Sequence, residues 1–220
     1  VPTGTPRPTT TPKPTVTPKP TASPTCALGA KQKEVETALA AIQTYGAITV
    51  DGQQSLADCE TIKRFQRRMG ISPVDGKAAG TTADVAARIA ATDTTACGAG
   101  TQTMACVDLT QQTFYIMKGG AVVLGPTVTR TGMKGFATPA GTFRINDRST
   151  RHWSTPYRVW LPYWQHFYDG DGLHETTTYI HNKSLGSHGC VNLLHADAVS
   201  AYSLLTSGSQ VRLYGHRPGT

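Results

Sequence analysis

The sequence has no run of 18 or more apolar residues, so no stretch of it reads as a bilayer-spanning helix. It lacks the charged start and short apolar core of an export signal. It opens on Val1, and so reads as a mature or trimmed chain whose signal and anchor would lie upstream. It also lacks any Lys/Arg cluster with interleaved aromatics, which argues against a nucleic-acid partner. The 21 basic residues outnumber 14 acidic ones for a net charge of +7, but Arg7, Lys13 and Lys19 sit near the N-terminus and the rest are scattered. Such diffuse charge suits an anionic cell wall and suits plain solubility equally well. Apolar residues are few at 38%, yet most of that deficit comes from the first 25 positions. The remainder is long enough to bury a core of one or two domains.

Cysteine is scarce too, and its five positions are informative. Cys26, Cys59, Cys97 and Cys106 lie upstream, and Cys190 stands alone. Four structural thiols and an odd one fit two disulfides and a free, reactive thiol in an oxidising, secreted setting. Four cysteines allow three connectivities, which spacing leaves open. Cys97–Cys106 across a short Gly/Thr-rich loop, with Cys26–Cys59 beside it, is the preferred map.

Three regions follow one another. Residues 1–25 are almost all Pro, Thr, Ser and Lys, a composition that cannot bury a core and reads as an extended linker or stalk. Residues 26–98 carry helical periodicity: Val35, Leu39 and Ile42; then Ile62, Phe65 and Met69; then Thr82 to Ala91. Asp58 is the expected N-cap of the second helix and Gly70 its stop. Val50-Asp51-Gly52 and Val74-Asp75-Gly76 form a weak repeat. From 104 to 216 the pattern turns to strands. Val107–Met117 and Ala121–Val128 flank Lys118-Gly119-Gly120 as a hairpin, and Thr138–Ile145 turns into a strand. Tyr157–Tyr163 is β-rich, Val199–Thr206 is helical, and Gln210–Tyr214 is a closing strand. The expected class is α+β: three small helices, then a mainly-β, sandwich-like domain with one late helix.

The chemistry concentrates near Cys190. A thiol nucleophile needs a base, and His174, His181, His188 and His195 all lie close in sequence. The Gly-containing turn His188-Gly189-Cys190 offers backbone N–H groups to a developing oxyanion. The seven-residue spacing of the histidines would make one helical stripe, but Thr176-Thr177-Thr178, Gly186 and Gly189 argue against a continuous helix. Zinc on His181, His188 and Cys190 is a weaker reading, since Cys-x-x-Cys spacing and a fourth ligand are missing.

Thr138-Pro139-Ala140-Gly141-Thr142-Phe143, Gly172-Leu173-His174-Glu175 and Gly186-Ser187-His188-Gly189-Cys190-Val191-Asn192 occur in the order seen in the L,D-transpeptidase catalytic domain, which residues 105–215 resemble. The resemblance implies Cys190 as nucleophile and His174 as base, with the Glu175 carbonyl orienting the imidazole. His181 is a second candidate base. His188 and Gly189 would line the oxyanion hole with the Cys190 N–H, while Ser187 and Asn192 hold the turn. Tyr157, Trp160 and Tyr168 could flank a peptide groove, and Arg151, His152 and Arg158 could meet a carboxylate. The partners implied are peptidoglycan stem peptides and glycan, with carbapenems as acylating agents. No metal or organic cofactor is required. Twelve residues separate His174 from Ser187, a short span for such a domain. Asp51-Gly52, Phe65-Gln66, Asp75-Gly76 and Thr82 resemble a three-helix peptidoglycan-binding domain. Other readings remain: an L,D-carboxypeptidase, a non-catalytic wall binder, or a sortase-like enzyme, although the sequence before Cys190 is Ser-His-Gly and the next arginine is Arg212.

Overall fold

The computed structural model describes residues 26–220. The Pro/Thr-rich linker expected over 1–25 lies outside the described residues. Three helices come first: α1 (Gln32–Ile42), α2 (Leu56–Arg68) and α3 (Gly80–Ala90). Their periodic positions face the core, with Val35, Ile62, Phe65 and Met69 fully shielded and Ile42 partly so. Asp58 is not the N-cap of α2. Ser55 is, and its hydroxyl accepts from the Asp58 N–H while the Asp58 carboxylate accepts from the Ser55 N–H at 3.1 Å. This reciprocal box satisfies two amides that the first turn leaves unpaired. Gly70, at φ +64°, ends α2 as expected: its N–H donates to Arg67 O and that of Ile71 to Gln66 O, a Schellman motif.

The Asp-Gly repeat has a structural reason. The Asp51 and Gly52 amides donate to the buried Glu36 carboxylate of α1. Gln66 of α2 accepts from Gly76 N–H at 2.8 Å and donates to Asp75 and Thr82. Thus Gln66 bonds Asp75, Gly76 and Thr82 at once and ties α2 to the loop and to α3. Cys26 and Cys59 are bridged across the same loop, with the sulfur of Cys26 packed where a side chain at Gly76 would stand. The helices' apolar cluster runs on into Val128, Ile180 and Leu194 of the following region. A partly buried ion pair joins them too: Arg68 contacts Asp197 at 2.6 Å.

Nine strands follow: β1 (Met104–Asp108), β2 (Thr113–Lys118), β3 (Ala121–Arg130), β4 (Gly141–Arg144), β5 (Asp147–Ser154), β6 (Val159–Tyr168), β7 (Asp171–Glu175), β8 (Val191–Leu193) and β9 (Gln210–Tyr214). Helix α4 (His195–Leu204) lies between the last two. The expected single run Val107–Met117 is two strands, because the Asp108 carboxylate accepts from the Thr110 and Gln111 amides and turns the chain back. The Gly119-Gly120 hairpin joins β2 to β3 as expected. Cys97, on a short 3₁₀ turn (Thr94–Cys97), is bridged to Cys106 on β1.

The strands form one sheet in the order β4-β9-β1-β2-β3-β8-β7-β6-β5, not the two sheets of a sandwich. Long β3 pairs with β2 along its length and with β8 through Thr129 and Arg130, so it belongs to both halves. The halves curl around one core: Val107, Val211 and Leu213 from one side meet Phe167, Leu173, Val191 and Leu193 from the other, with Ala198 and Ala201 of α4. Each large side chain buried there contributes roughly 1.5–3 kcal/mol. The two parallel pairings are β1 with β9 and β7 with β8. The second builds the site.

Candidate active site

Register places the two chemical residues together. In the β7–β8 pair, Leu173 lies opposite Val191 and His174 opposite Asn192, which brings Cys190 level with Gly172. Side chains alternate along a strand, so Leu173 and Val191 enter the core while His174, Cys190 and Asn192 share the other face. That face is one wall of a cleft of about 900 Å³. The β5–β6 hairpin supplies His152, Trp153, Tyr157 and Trp160. The β6–β7 turn and the start of β7 supply Asp169, Gly170 and Asp171, and the turn before Cys190 supplies Ser187 and His188.

His174 is only 4% exposed. Its Nδ1 lies 2.9 Å from the Glu175 carbonyl, which can only accept, so Nδ1 carries the proton and Nε2 keeps its lone pair. Thr176 Oγ1, 3.1 Å from Nδ1, also donates to that carbonyl. Burial pushes the imidazole down to about 4. Cys190 is the free cysteine, and burial pushes its thiol up to about 12. The backbone N–H groups of Gly172 and of Cys190 itself favour the thiolate, while the neighbouring Asp171 carboxylate opposes it. The resting pair is therefore neutral thiol and neutral imidazole. Such a pair reacts by proton removal during attack, not from a stored thiolate.

The turn is braced from several sides. Ser187 Oγ accepts from the Gly189 N–H at 3.1 Å and donates to the Cys190 carbonyl at 2.6 Å. Thr138 Oγ1, from the Thr-Pro-Ala-Gly stretch, donates to the Gly189 carbonyl and accepts from the Gly132 N–H. Gly189 sits at φ +126°, and a Cβ there would run into the Asp171 carboxylate. Both demands exclude a side chain. The Gly189 amide, expected among the oxyanion donors, serves Ser187 Oγ instead.

Most of the other expected residues line the same cleft, and Tyr168, Glu175 and His181 do not. The exposed His188 ring stacks on Tyr157 and meets Phe136 edge-on, both at 4.5 Å, as cleft wall. Asn192, fully buried, donates to the Tyr179 hydroxyl at 2.8 Å. Trp160 lines the cleft with Arg151 stacked over it at 4.1 Å, and His152 stacks on Trp164. Tyr168 is not on the wall, because it tilts onto Phe143. Glu175 offers only its carbonyl, its carboxylate lying 2.7 Å from His195. His181 faces the Gly70 carbonyl between the helices and the sheet, away from the cleft. The zinc set of His181, His188 and Cys190 is thus not brought together. Among the described residues no three His, Cys, Asp or Glu side chains converge as ligands.

Sequence reasoning missed Asp171, Tyr179 and Arg217. Arg217 donates to the carbonyls of Gly132 and Leu185, holding the loop before the turn. It lies beyond the last strand, where no local pattern signals a role. Asp171 had one signal, its place three residues before His174.

Comparison with known proteins places this geometry. The L,D-transpeptidase catalytic domain (YkuD) matches residues 102–213. An L,D-transpeptidase from Stackebrandtia nassauensis superposes with a TM-score of 0.86 at 48% identity, over 92% of this chain and 100% of its own. One from Xylanimonas cellulosilytica superposes at 0.53 with 22% identity, over 89% and 100%, a likeness of fold. An L,D-transpeptidase in complex with imipenem matches at 0.46 and 19%, over 51% and 58%, too distant to bear on this chain. No curated protein matches it.

Proposed function

Because the chain belongs to the L,D-transpeptidase family, we propose that it is a cysteine acyltransferase of the bacterial cell wall that forms 3→3 cross-links between peptidoglycan stem peptides. The observation that carries this reading is the common face of Cys190 and His174 on adjacent strands at the wall of one cleft. Cys190 attacks the carbonyl between the third residue of a stem tetrapeptide and its terminal D-alanine, and its proton passes to Nε2 of His174. The oxyanion is met by the amides of Cys190 and His188. The C–N bond breaks, D-alanine leaves with the proton from His174, and a thioester remains on Cys190. An amine of a second stem peptide attacks that thioester and regenerates the thiol. Water in its place makes the reaction a carboxypeptidase. Tyr157 and Trp160 flank the donor peptide, and Ser187 and Asn192 keep the turn in shape.

The reading extends to the whole chain. Residues 104–216 are the catalytic domain and 26–98 a helical domain that positions it or meets glycan. The bridges Cys26–Cys59 and Cys97–Cys106 fit an extracytoplasmic, oxidising compartment. No described helix is long and apolar enough to cross a membrane. Incubation with a disaccharide-tetrapeptide, read by mass, is expected to release D-alanine and yield a cross-linked dimer. Cys190→Ala should do neither, and a carbapenem should add its mass to the wild type alone. Wild-type enzyme that leaves the tetrapeptide whole would overturn the reading.

A further inference from the structure

The β6–β7 turn, Asp169-Gly170-Asp171, overhangs the nucleophile: the Gly170 carbonyl lies 3.9 Å from the Cys190 sulfur. The Asp171 carboxylate occupies the space where Gly189, the residue before Cys190, has no side chain, and Asp171 is among the residues that line the cleft with Cys190. No ion pair among the described residues includes Asp171. Instead its charged neighbour is another carboxylate, Asp169. A negative group here opposes the first half-reaction, since it disfavours the thiolate. Its chemical use therefore lies in the second, when the sulfur is an uncharged thioester and the incoming nucleophile is a cation. An alkyl amine has an ordinary pKa of about 10.4 and arrives protonated at neutral pH. It must be held, then stripped of a proton.

We propose that Asp171 is the docking and proton-accepting group for the primary ammonium of the acceptor strand. This rests on the transpeptidase reading and adds to it the residue that favours amine over water. The ammonium gives one proton to the Asp171 carboxylate and becomes a neutral amine. The amine nitrogen bonds the thioester carbon, the C–S bond breaks, and the nitrogen's surplus proton passes through His174 to the sulfur. Asp171 returns its proton to solvent. Burial and Asp169 push the Asp171 carboxyl up to about 7, which narrows the gap to the amine. Water needs neither anchor nor prior deprotonation of this kind.

The test uses the full chain and a stem tripeptide with a free side-chain amine, against the same peptide acetylated on that amine. Calorimetry on the resting enzyme should show the free amine bound about tenfold more tightly, the size of one charge-assisted contact. Asp171→Asn should abolish the preference, and Asp169→Asn should reduce it in part. In turnover, Asp171→Asn should shift acyl-enzyme from cross-linked product toward hydrolysis by about tenfold or more. Equal binding of the two peptides by wild type, or an undiminished preference in Asp171→Asn, overturns the proposal. Should Asp171→Asn fail to fold, an unchanged preference in Asp169→Asn overturns it. Absence of D-alanine release bears on the transpeptidase reading alone, because the binding preference is read without turnover.

Discussion

Three buried polar residues of the helical segment and three of the cleft are treated in opposite ways. In the helices, Glu36, Asp58 and Gln66 are all but fully buried and each ends on two or more partners. In the cleft, His174 is buried with only Nδ1 engaged, burial disfavours the Cys190 thiolate, and Asn192 Oδ1 has no partner. Satisfied networks fix a fold; shielded groups with spare valence are what a reaction can use. The same contrast separates two short motifs. The residues around Asp75-Gly76 bond each other and explain their own pattern. Those around His188-Gly189-Cys190 leave a thiol over, with the unengaged Nε2 of His174 on the neighbouring strand.

Three experiments put that contrast at risk. The largest effect is on the thiol. With Cys190 near 12 and His174 near 4, alkylation by iodoacetamide should climb about tenfold per pH unit from 7 to 10, roughly a thousandfold in all, without a plateau. A flat, fast rate already present below pH 7 would mean a standing thiolate–imidazolium pair. Next, Gln66→Ala should cost about 2–4 kcal/mol in urea unfolding, since it leaves the Gly76 amide and the Thr82 and Asp75 side chains without a shared partner. Acyl transfer by the folded fraction should be unchanged. The smallest effect has the opposite sign. The Asp171 carboxyl is raised in the folded state, so its contribution to stability is full below the unfolded value and is lost as pH climbs through about 7. Asp171→Asn should therefore raise the melting temperature at pH 8 and leave it nearly unmoved at pH 3. A gain confined to acid pH would contradict the charge assignment.

Much of this was legible before any coordinates. The apolar period located α1 to α3, Gly119-Gly120 located a hairpin, and Gln210–Tyr214 was bounded as a strand. That Cys190 is the free cysteine was legible because it was the odd one, and the neighbouring strand that carries His174 was marked by a second motif. Strands β5, β7 and β8 were not read, because their sequences are polar, short or mixed and owe their state to neighbours. His181 looked as good a base as its spacing allowed; only the packing of the sheet on α2 turned it to Gly70.

Local chemistry by itself determined the three helices, the odd thiol, and the glycine needed at a crowded turn, because periodicity, parity and a missing side chain are properties of neighbours along the chain. Tertiary structure alone decided which histidine shares a face with Cys190, that Asp171 leans on Gly189, and that Arg217 holds the loop. Those pairings bridge strands distant in sequence, and a parallel register set by the burial of Leu173 and Val191 is what aligns them.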